Sequence, residues 1–425
     1  MKWNKVIGWL VCAVAIGCNP IEPSVPTGGA HMVRSEKRGV SFNFNYVSDL
    51  PLLSPYIAWD YNWGNNTNEN AALWFDANDI EYCPMCWSGN YDANKIRAYV
   101  AAHPKTKYLL AFNEPNLTDQ ANMTPAKAAE FWPAVVALAK ELHLKLVSPA
   151  MNYGTLAGYS DPIKWLDEFF AQPNVDINDI AAISVHCYMA SASGLQGYIE
   201  KFRKYNKPVW LTEFCAWDPK PSSAEMQMDY MCAALHYLEN EPLVERYAWF
   251  IPRYTNKNND PHMQLITNAI PGELTDAGKV YCGFSSFDTH TYLNTEWIPA
   301  GSYCATSGMA PNVRPASDTK LDGLECPLMI KNIAPKMTQE YKVSISAPAT
   351  SFLIRTAGYT DAMVRVYVDN EEVVTTTIAR TGGSDNWTTT ACALSTSQQP
   401  TKGYHTVRLE WLSGNILFSA FSFKE

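Results

Sequence analysis

Two glutamates stand at the ends of apolar segments, where their side chains are able to do chemistry. Glu114 comes directly after the segment 107–113 and directly before Pro115, which prevents that segment from continuing as a strand. Glu213 is the second-last residue of another apolar segment, 208–214. Paired carboxylates without a neighbouring nucleophile or metal-binding group are typical of glycoside hydrolysis, in which one carboxyl group donates a proton and the other attacks the sugar or activates water.

The elements that must position these glutamates alternate regularly. Between residues 36 and 290, short apolar segments alternate with amphipathic helical patterns. Such an alternation is typical of parallel strands buried on both faces, and eight units predict a (β/α)8 TIM barrel in the α/β class. Strands four and seven then bring their glutamates to opposite sides of one cleft at the C-terminal ends of the strands. The predicted strands are 38–44, 57–63, 80–85, 107–113, 145–150, 180–188, 208–214 and 246–251.

The last part of the chain has a different pattern. From residue 295 to residue 425 there is no long helical periodicity, and alternating segments are separated by turn signals such as Gly382-Gly383. Alternation with a period of two residues predicts half-buried strands, so we expect an all-β sandwich of the jelly-roll type. Aromatic residues that are candidates for a sugar-binding platform there are Trp387, Tyr303 and Trp411, the last of which reads as core.

The composition narrows the range of partners. The 425 residues are 47% hydrophobic and 18% charged, and the net charge is −9 with no cluster of Lys and Arg. A globular monomer without affinity for nucleic acid is therefore expected. We also expect no cofactor and no metal. Aromatic residues make up 12% of the chain, including 14 Trp, and such rings offer faces on which the C–H surfaces of sugars stack.

The first residues have the features of an export signal. Residues 1–5 carry two lysines, an apolar stretch follows, and small residues precede Cys18. The stretch is shorter than the roughly 20 residues that a membrane span requires. We therefore predict a lipoprotein signal peptide over 1–17, acylation of Cys18, and a tether over 18–35. Because no Asp follows Cys18, an outer-membrane anchor in the cell envelope is expected; a soluble secreted protein is the alternative.

Nine of the eleven cysteines remain after removal of the signal region, an odd number, so at least one has no partner within the chain. The segment 83–86 has the C-x-x-C spacing of redox and zinc motifs. No second such pair exists, and a structural or disulfide role is favoured.

The strand-end motifs together resemble a known family. Asn-Glu-Pro after strand four and a Glu closing strand seven resemble glycoside hydrolase clan A. More specifically, the segments that resemble glycoside hydrolase family 128, a family of β-1,3-glucanases, are 37–40 (KRGV), 60–64 (DYNWG), 84–87 (PMCW) and 211–214 (LTEF). The C-terminal domain, from residue 297 onward, resembles family 6 carbohydrate-binding modules.

The family resemblance implies a retaining β-1,3-glucanase of the endo type. Glu114 corresponds to the general acid/base and Glu213 to the nucleophile, and Tyr188 is placed to donate to Glu213 and keep it ionised. The residues that the resemblance places against a β-glucan substrate are Asn113, Asn62, Trp63, Trp87, His186, Tyr188 and Trp249.

Two other functions remain open at this stage. The first is a lipid-anchored surface protein that binds glycans with an inactive barrel, against which the two intact glutamates argue. The second is a clan A hydrolase that acts on another β-glycan such as mannan or xylan. A retaining mechanism requires carboxyl groups about 5 to 5.5 Å apart, whereas a separation near 8 Å would contradict it.

Overall fold

The computed structural model describes residues 33–287 and 289–425. Its first part is a barrel of eight parallel strands in the order β3-β2-β1-β8-β7-β6-β5-β4. A parallel bridge between Met85 and Leu110 joins the two outer strands and closes the barrel. The strands are β1 (Arg38–Ser41), β2 (Trp59–Tyr61), β3 (Glu81–Tyr82), β4 (Tyr108–Leu110), β5 (Lys145–Val147), β6 (Ile180–Met189), β7 (Val209–Asp218) and β8 (Val244–Trp249).

Helices follow the strands and cover the barrel, as the alternation predicted. Their starts are set locally, because Asp92 and Thr124 accept hydrogen bonds from the first backbone N–H groups of α3 and α4. The helices are α1 (Leu50–Leu53), α2 (Glu69–Ala77), α3 (Ala93–Ala102), α4 (Pro125–Glu141), α5 (Pro162–Phe170), α6 (Ala192–Glu200), α7 (Ala224–Asn240) and α8 (Asp276–Gly283).

Aromatic rings fill the N-terminal end of the barrel interior. The rings of Trp59 and Trp210 are 5.2 Å apart, and the Arg246 guanidinium lies 4.5 Å from the centre of the Trp210 ring. Arg246 also pairs with Glu81 at 2.7 Å. This packing uses several of the aromatic residues and fills the interior of the barrel at its N-terminal end.

The second part is a β-sandwich of two six-stranded sheets. One sheet has the order β12-β13-β20-β15-β18 with β10 beside β20, and the other has the order β11-β14-β19-β16-β17 with β9 beside β14. The strands are β9 (Thr291–Leu293), β10 (Ile298–Pro299), β11 (Ala305–Ser307), β12 (Val313–Pro315), β13 (Leu328–Ile330), β14 (Thr338–Ile345), β15 (Ser351–Gly358), β16 (Ala362–Val368), β17 (Glu371–Ile378), β18 (Gly383–Ala393), β19 (Gly403–Ser413) and β20 (Leu417–Lys424).

Two of the three aromatic residues of the predicted sugar-binding platform lie in the core of the sandwich. Trp411 is buried between the sheets, where its indole N–H donates to Gln339. Tyr303 is buried as well, so neither ring is available to a sugar. Trp387 on β18 is half-buried, and its indole N–H donates to the Ser317 hydroxyl at 3.1 Å.

The sandwich packs directly on the barrel. Arg314 of β12 is almost fully buried and pairs with Glu225 at 2.8 Å and with Asp229 at 2.5 Å, both on α7. The Cys232 thiol of the same helix donates to the Val313 carbonyl. Within the described ranges, none of the helices combines the length and the apolarity that crossing a bilayer would require.

Candidate active site

The local backbone places Glu114 and Glu213 at the open end of the barrel. Glu114 lies four residues after β4 and adopts a left-handed backbone conformation with φ of 44°, which is uncommon for a residue with a side chain and marks a constrained site. Its N–H donates to the Ala150 carbonyl. This hydrogen bond holds the turn against the segment that follows β5. Glu213 lies within the extended strand β7. Both side chains are buried at the mouth of the barrel.

The two glutamates form a tight group with a histidine. Nδ1 of His186 lies 2.9 Å from Oε1 of Glu114, and Nε2 of the same ring lies 3.5 Å from Oε1 of Glu213. One oxygen of each carboxylate and a nitrogen of His186 all lie within 4.8 Å of one another. This spacing corresponds to the short carboxyl separation of retaining glycosidases rather than to the longer one of inverting enzymes.

Neutral donors surround the Glu213 carboxylate. Oε1 accepts hydrogen bonds from the Tyr61 hydroxyl at 2.9 Å and from the Trp63 indole N–H at 2.7 Å. Oε2 accepts a short hydrogen bond from the Tyr188 hydroxyl. Trp63 has a φ of 63°, a left-handed conformation that is costly for a bulky residue and that directs its indole toward the carboxylate. These donors hold the Glu213 carboxylate in one orientation.

The charges of the group determine the direction of each pKa shift. Burial alone would raise the pKa of Glu114, but the positive charge of His186 and hydrogen bonds from His186 and Asn152 outweigh it and lower that pKa. Burial would lower the pKa of His186, but Glu213 and Glu114 raise it. Burial and the Glu213 carboxylate both raise the pKa of the Tyr188 hydroxyl, so it remains a donor. The two carboxylates thus favour the protonated form of the imidazole.

The same three side chains are spaced to ligate a metal ion. Their atoms are already engaged, however, because Glu213 accepts from Tyr61, Trp63 and Tyr188 and Glu114 accepts from Asn152 at 2.9 Å. A carboxylate surrounded by N–H and O–H donors binds a proton donor or a sugar hydroxyl group more readily than a cation. We therefore assign this group to acid/base chemistry.

A cavity of about 510 Å³ lies over the carboxylates. Its wall is mainly aromatic, with polar groups at the floor, which is the arrangement that binds sugars. The Asn113 Oδ1 atom at its edge is buried and accepts no hydrogen bond from any residue that the structure describes. The lining residues are Trp63, Trp87, Asn113, Glu114, Leu117, Gln120, Asn152, Tyr188, Glu213, Trp217, Asp218 and Phe250.

Three predicted contact residues do not line this cavity. Trp249 is 0% exposed, and its indole N–H donates to the Met263 carbonyl, so its predicted place in the cleft is wrong and it is a core residue. His186 is also 0% exposed and lies beneath the carboxylates instead of beside a sugar. Asn62 accepts hydrogen bonds from the Tyr82 hydroxyl and the Gly64 N–H, which orders the turn after β2. The other predicted residues meet at the cavity.

Several residues of the site were missed by the sequence reasoning. Trp217 lies four residues after Glu213 on the same strand, and since alternate residues share a face, that spacing contained the signal. Phe250 replaces the predicted Trp249 as the ring from the end of β8. Asn152 follows the fifth strand by a few residues, at the edge where functional side chains gather. Tyr61 has the sequence pattern of an ordinary core residue, and no feature of the sequence indicates its contact with Glu213.

Comparison with known proteins agrees with this geometry. Residues 39–281 match the family model described as "Glycosyl hydrolase catalytic core". A solved GH128 subgroup II endo-β-1,3-glucanase from Pseudomonas viridiflava is 37% identical with a TM-score of 0.54, and covers 59% of this chain and 98% of its own. The corresponding enzyme from Sorangium cellulosum is 34% identical with a TM-score of 0.52, and covers 58% of this chain and 97% of its own.

A curated relative shares the barrel region. Alkali-sensitive linkage protein 1 of Schizosaccharomyces pombe is 29% identical over 241 residues, which are 53% of this chain and 40% of that protein. The match therefore spans less than half the length of that relative. Residues 334–423 match the model described as "Carbohydrate binding module (family 35)". The match is to family 35, so the expected resemblance to family 6 is wrong.

Two adjacent carboxylates at the C-terminal end of a (β/α)8 barrel are an arrangement that glycoside hydrolases use. The carboxylates here lie on the segments after β4 and within β7. The chain belongs to the glycosyl hydrolase catalytic core family, with a catalytic domain of the GH128 type.

Proposed function

We propose that this protein hydrolyses β-1,3-glucan internally and with retention of anomeric configuration. The observation that carries the proposal is the group of two carboxylates and one imidazole whose ligand atoms lie within 4.8 Å of one another. This spacing leaves no room for a water molecule between a carboxylate and the sugar, so one carboxylate attacks directly. The two solved relatives are both endo-β-1,3-glucanases, which supports the substrate and the internal mode of attack.

Glu213 acts as the nucleophile. Its position within an extended strand and its three hydrogen-bond donors fix the direction of the carboxylate. Attack on the anomeric carbon forms a glycosyl-enzyme ester. When the ester is cleaved, the same donors stabilise the carboxylate as it leaves.

Glu114 protonates the departing oxygen and later activates water. With both carboxyls ionised and both ring nitrogens of His186 protonated, the group carries one negative charge. Transfer of the Nδ1 proton across 2.9 Å to Glu114 produces the acid and leaves Glu213 ionised at the same net charge. The reactive state is therefore reached without uptake of a proton from solvent.

Polar and aromatic groups of the cavity bind the sugar. The free acceptor Oδ1 of Asn113 is placed beside Glu114 to receive the 2-hydroxyl of the reacting glucosyl unit, a bond that strengthens as the oxocarbenium-like state forms. The rings of Trp63, Trp87 and Trp217 are half-buried at the wall. Their exposed faces suit the apolar faces of consecutive glucosyl units.

Hydrolysis of laminarin by the purified protein tests the proposal. We expect turnover by the wild type, loss of turnover in Glu213→Gln, and normal turnover in the control Glu245→Gln, whose carboxylate accepts from Trp210 at the other end of the barrel. Proton NMR of early products should show the β-anomer before mutarotation. An α-anomer would contradict the retaining mechanism, and early production of glucose alone would contradict internal cleavage.

The alternative functions have distinct outcomes in the same assay. An inactive glycan-binding protein binds laminarin without turnover in both the wild type and Glu213→Gln. A hydrolase for another β-glycan leaves laminarin intact but cleaves mannan or xylan in a polysaccharide panel. Either result would replace the β-1,3-glucan assignment.

We also propose that the protein is held in the cell envelope by a lipid on Cys18, with the outer membrane as its location. Cys18 lies outside the described residues, and the support is the sequence pattern of charged, apolar and small residues before it. Membrane fractionation of cells that produce the wild type and Cys18→Ala tests this anchor. The wild type should sediment with outer membranes and the variant should not; equal distribution of both contradicts the proposal.

A further inference from the structure

Two cysteines meet where the last helix of the barrel contacts the sandwich. Cys282 lies in the final turn of α8, which ends at Gly283. Cys326 lies just before β13, on the segment that enters the sandwich. The two residues are thus distant in sequence and belong to different domains.

The segments that carry these two cysteines are in contact. Each thiol contributes to the shift in the pKa of the other. A Cβ atom added to Gly283 would lie 2.4 Å from the Cys326 carbonyl oxygen, so the two backbones are already in close contact. The Cys326 thiol also donates to the Tyr56 hydroxyl at 3.6 Å. The end of α8 and the segment before β13 therefore pack against each other at the two cysteines.

The surroundings give the two sulfur atoms different roles. Cys326 is half-buried, and its interactions with Cys282 and Tyr56 lower the pKa of its thiol despite partial burial. Cys282 is fully buried, and burial raises the pKa of its thiol. Cys282 also faces a cavity of about 200 Å³ at the domain boundary. The thiolate form reacts with disulfides, so Cys326 is the thiol that reacts first.

We propose that Cys282 and Cys326 form a disulfide that covalently joins the barrel to the sandwich when the protein meets a disulfide oxidant such as oxidised glutathione. The Cys326 thiolate attacks one sulfur of the oxidant, forming a mixed disulfide and releasing one thiolate. That thiolate takes the proton of Cys282, whose sulfur then attacks Cys326 and releases the second thiolate, which takes a proton from water. The protein pair loses two electrons, and the oxidant gains them as two thiols.

The bond would reinforce an interface that is otherwise non-covalent. Ion pairs from Arg314 to Glu225 and Asp229 lie on the same boundary. A disulfide between residues 282 and 326 closes a loop that contains β9 to β12 and restricts the unfolded chain. The sandwich then remains attached to the barrel even when the interface opens locally.

Peptide mapping of the purified protein tests this disulfide. After incubation with oxidised glutathione, non-reducing mass spectrometry should recover the peptides of Cys282 and Cys326 as one linked species, with a loss of two titratable thiols. Dithiothreitol should restore both thiols and lower the melting temperature by roughly 5 °C. Cys392→Ala, which alters a buried cysteine of β18, should keep the link and the shift.

Cys326→Ala should remove both the linked species and the effect of dithiothreitol on the melting temperature. Recovery of Cys282 and Cys326 of the oxidised wild type as separate alkylated peptides overturns the proposal. So does linkage of either one to a different cysteine. The mapping of the wild type decides the question even where the variant fails to fold.

Discussion

Removal of the Tyr188 hydroxyl tests how the donors around Glu213 act in catalysis. Among the residues that the structure describes, Tyr188 donates to Oε2 of Glu213, whereas Oε1 of Glu213 accepts from both Tyr61 and Trp63. A hydrogen bond to a charged group contributes about 1.5 to 3 kcal/mol. At 1.36 kcal/mol for each factor of ten, Tyr188→Phe should slow the affected step about 10- to 150-fold.

The chemistry predicts which step is affected. Glu213 loses negative charge as it attacks the sugar, so its donors do not favour formation of the glycosyl-enzyme. The carboxylate regains charge as it leaves, and the donors then lower the barrier. Tyr188→Phe should therefore reduce kcat much more than kcat/KM, and the glycosyl-enzyme should accumulate.

Steady-state kinetics and mass spectrometry of rapidly quenched samples measure both effects. Tyr198→Phe is a matched control, because that buried hydroxyl donates to the Met151 carbonyl and has no hydrogen bond to either carboxylate. Equal reduction of kcat and kcat/KM without an accumulated intermediate would refute the reasoning. A similar loss in Tyr198→Phe would show that the effect is structural.

Three further predictions concern the same site. Glu114→Gln should lower turnover of glucan by about 10²- to 10⁴-fold, but should spare formation of the glycosyl-enzyme from a substrate with an acidic phenol leaving group; equal loss with both substrates would contradict its role as the acid. The pKa of His186, measured by NMR of the imidazole, should lie above 6.5 and should fall in Glu213→Gln, since Glu213 raises it. The contribution of the charged imidazole to the free energy of unfolding is fully present below pH 6.5, and it is lost as the pH rises through the folded-state pKa. Trp217→Ala should raise KM for long oligosaccharides by about 2- to 10-fold, whereas Trp387→Ala on the sandwich should not; an unchanged KM in the first variant would remove Trp217 from the binding surface.

The sequence was sufficient to predict the barrel and the positions of its carboxylates. The strands of a parallel barrel are buried on both faces, so their apolar segments stand out, and the residues that end them fall at one edge by topology. Glu114 and Glu213 follow this rule directly. The end of β8 shows its limit, because adjacent residues face opposite sides of the sheet. An error of one residue therefore selected the buried Trp249 in place of Phe250, which lines the cavity.

Contacts between distant segments were beyond the reach of the sequence. Tyr61 and Asn152 act through hydrogen bonds to carboxylates that lie far away along the chain. Periodicity reports which face a residue occupies, but not which partner it meets across the barrel. For the same reason, the sequence did not predict that His186 lies beneath both carboxylates. A residue at the end of a strand fits a ligand contact and a buried bridge equally well.

The closure of the barrel places Glu114 and Glu213 in regions whose strands differ greatly in length. Strands β2 to β5 contain two or three residues each, whereas β6 and β7 contain ten, and the bridge from Met85 to Leu110 forms the seam. Backbone amides open in cooperative units, and the units with the fewest ladder hydrogen bonds open first. Glu114 lies on the loop that follows β4, the strand at the seam, and Glu213 lies within the long strand β7. Backbone opening is therefore expected to be more frequent around Glu114, the proposed acid/base, than around Glu213, the proposed nucleophile.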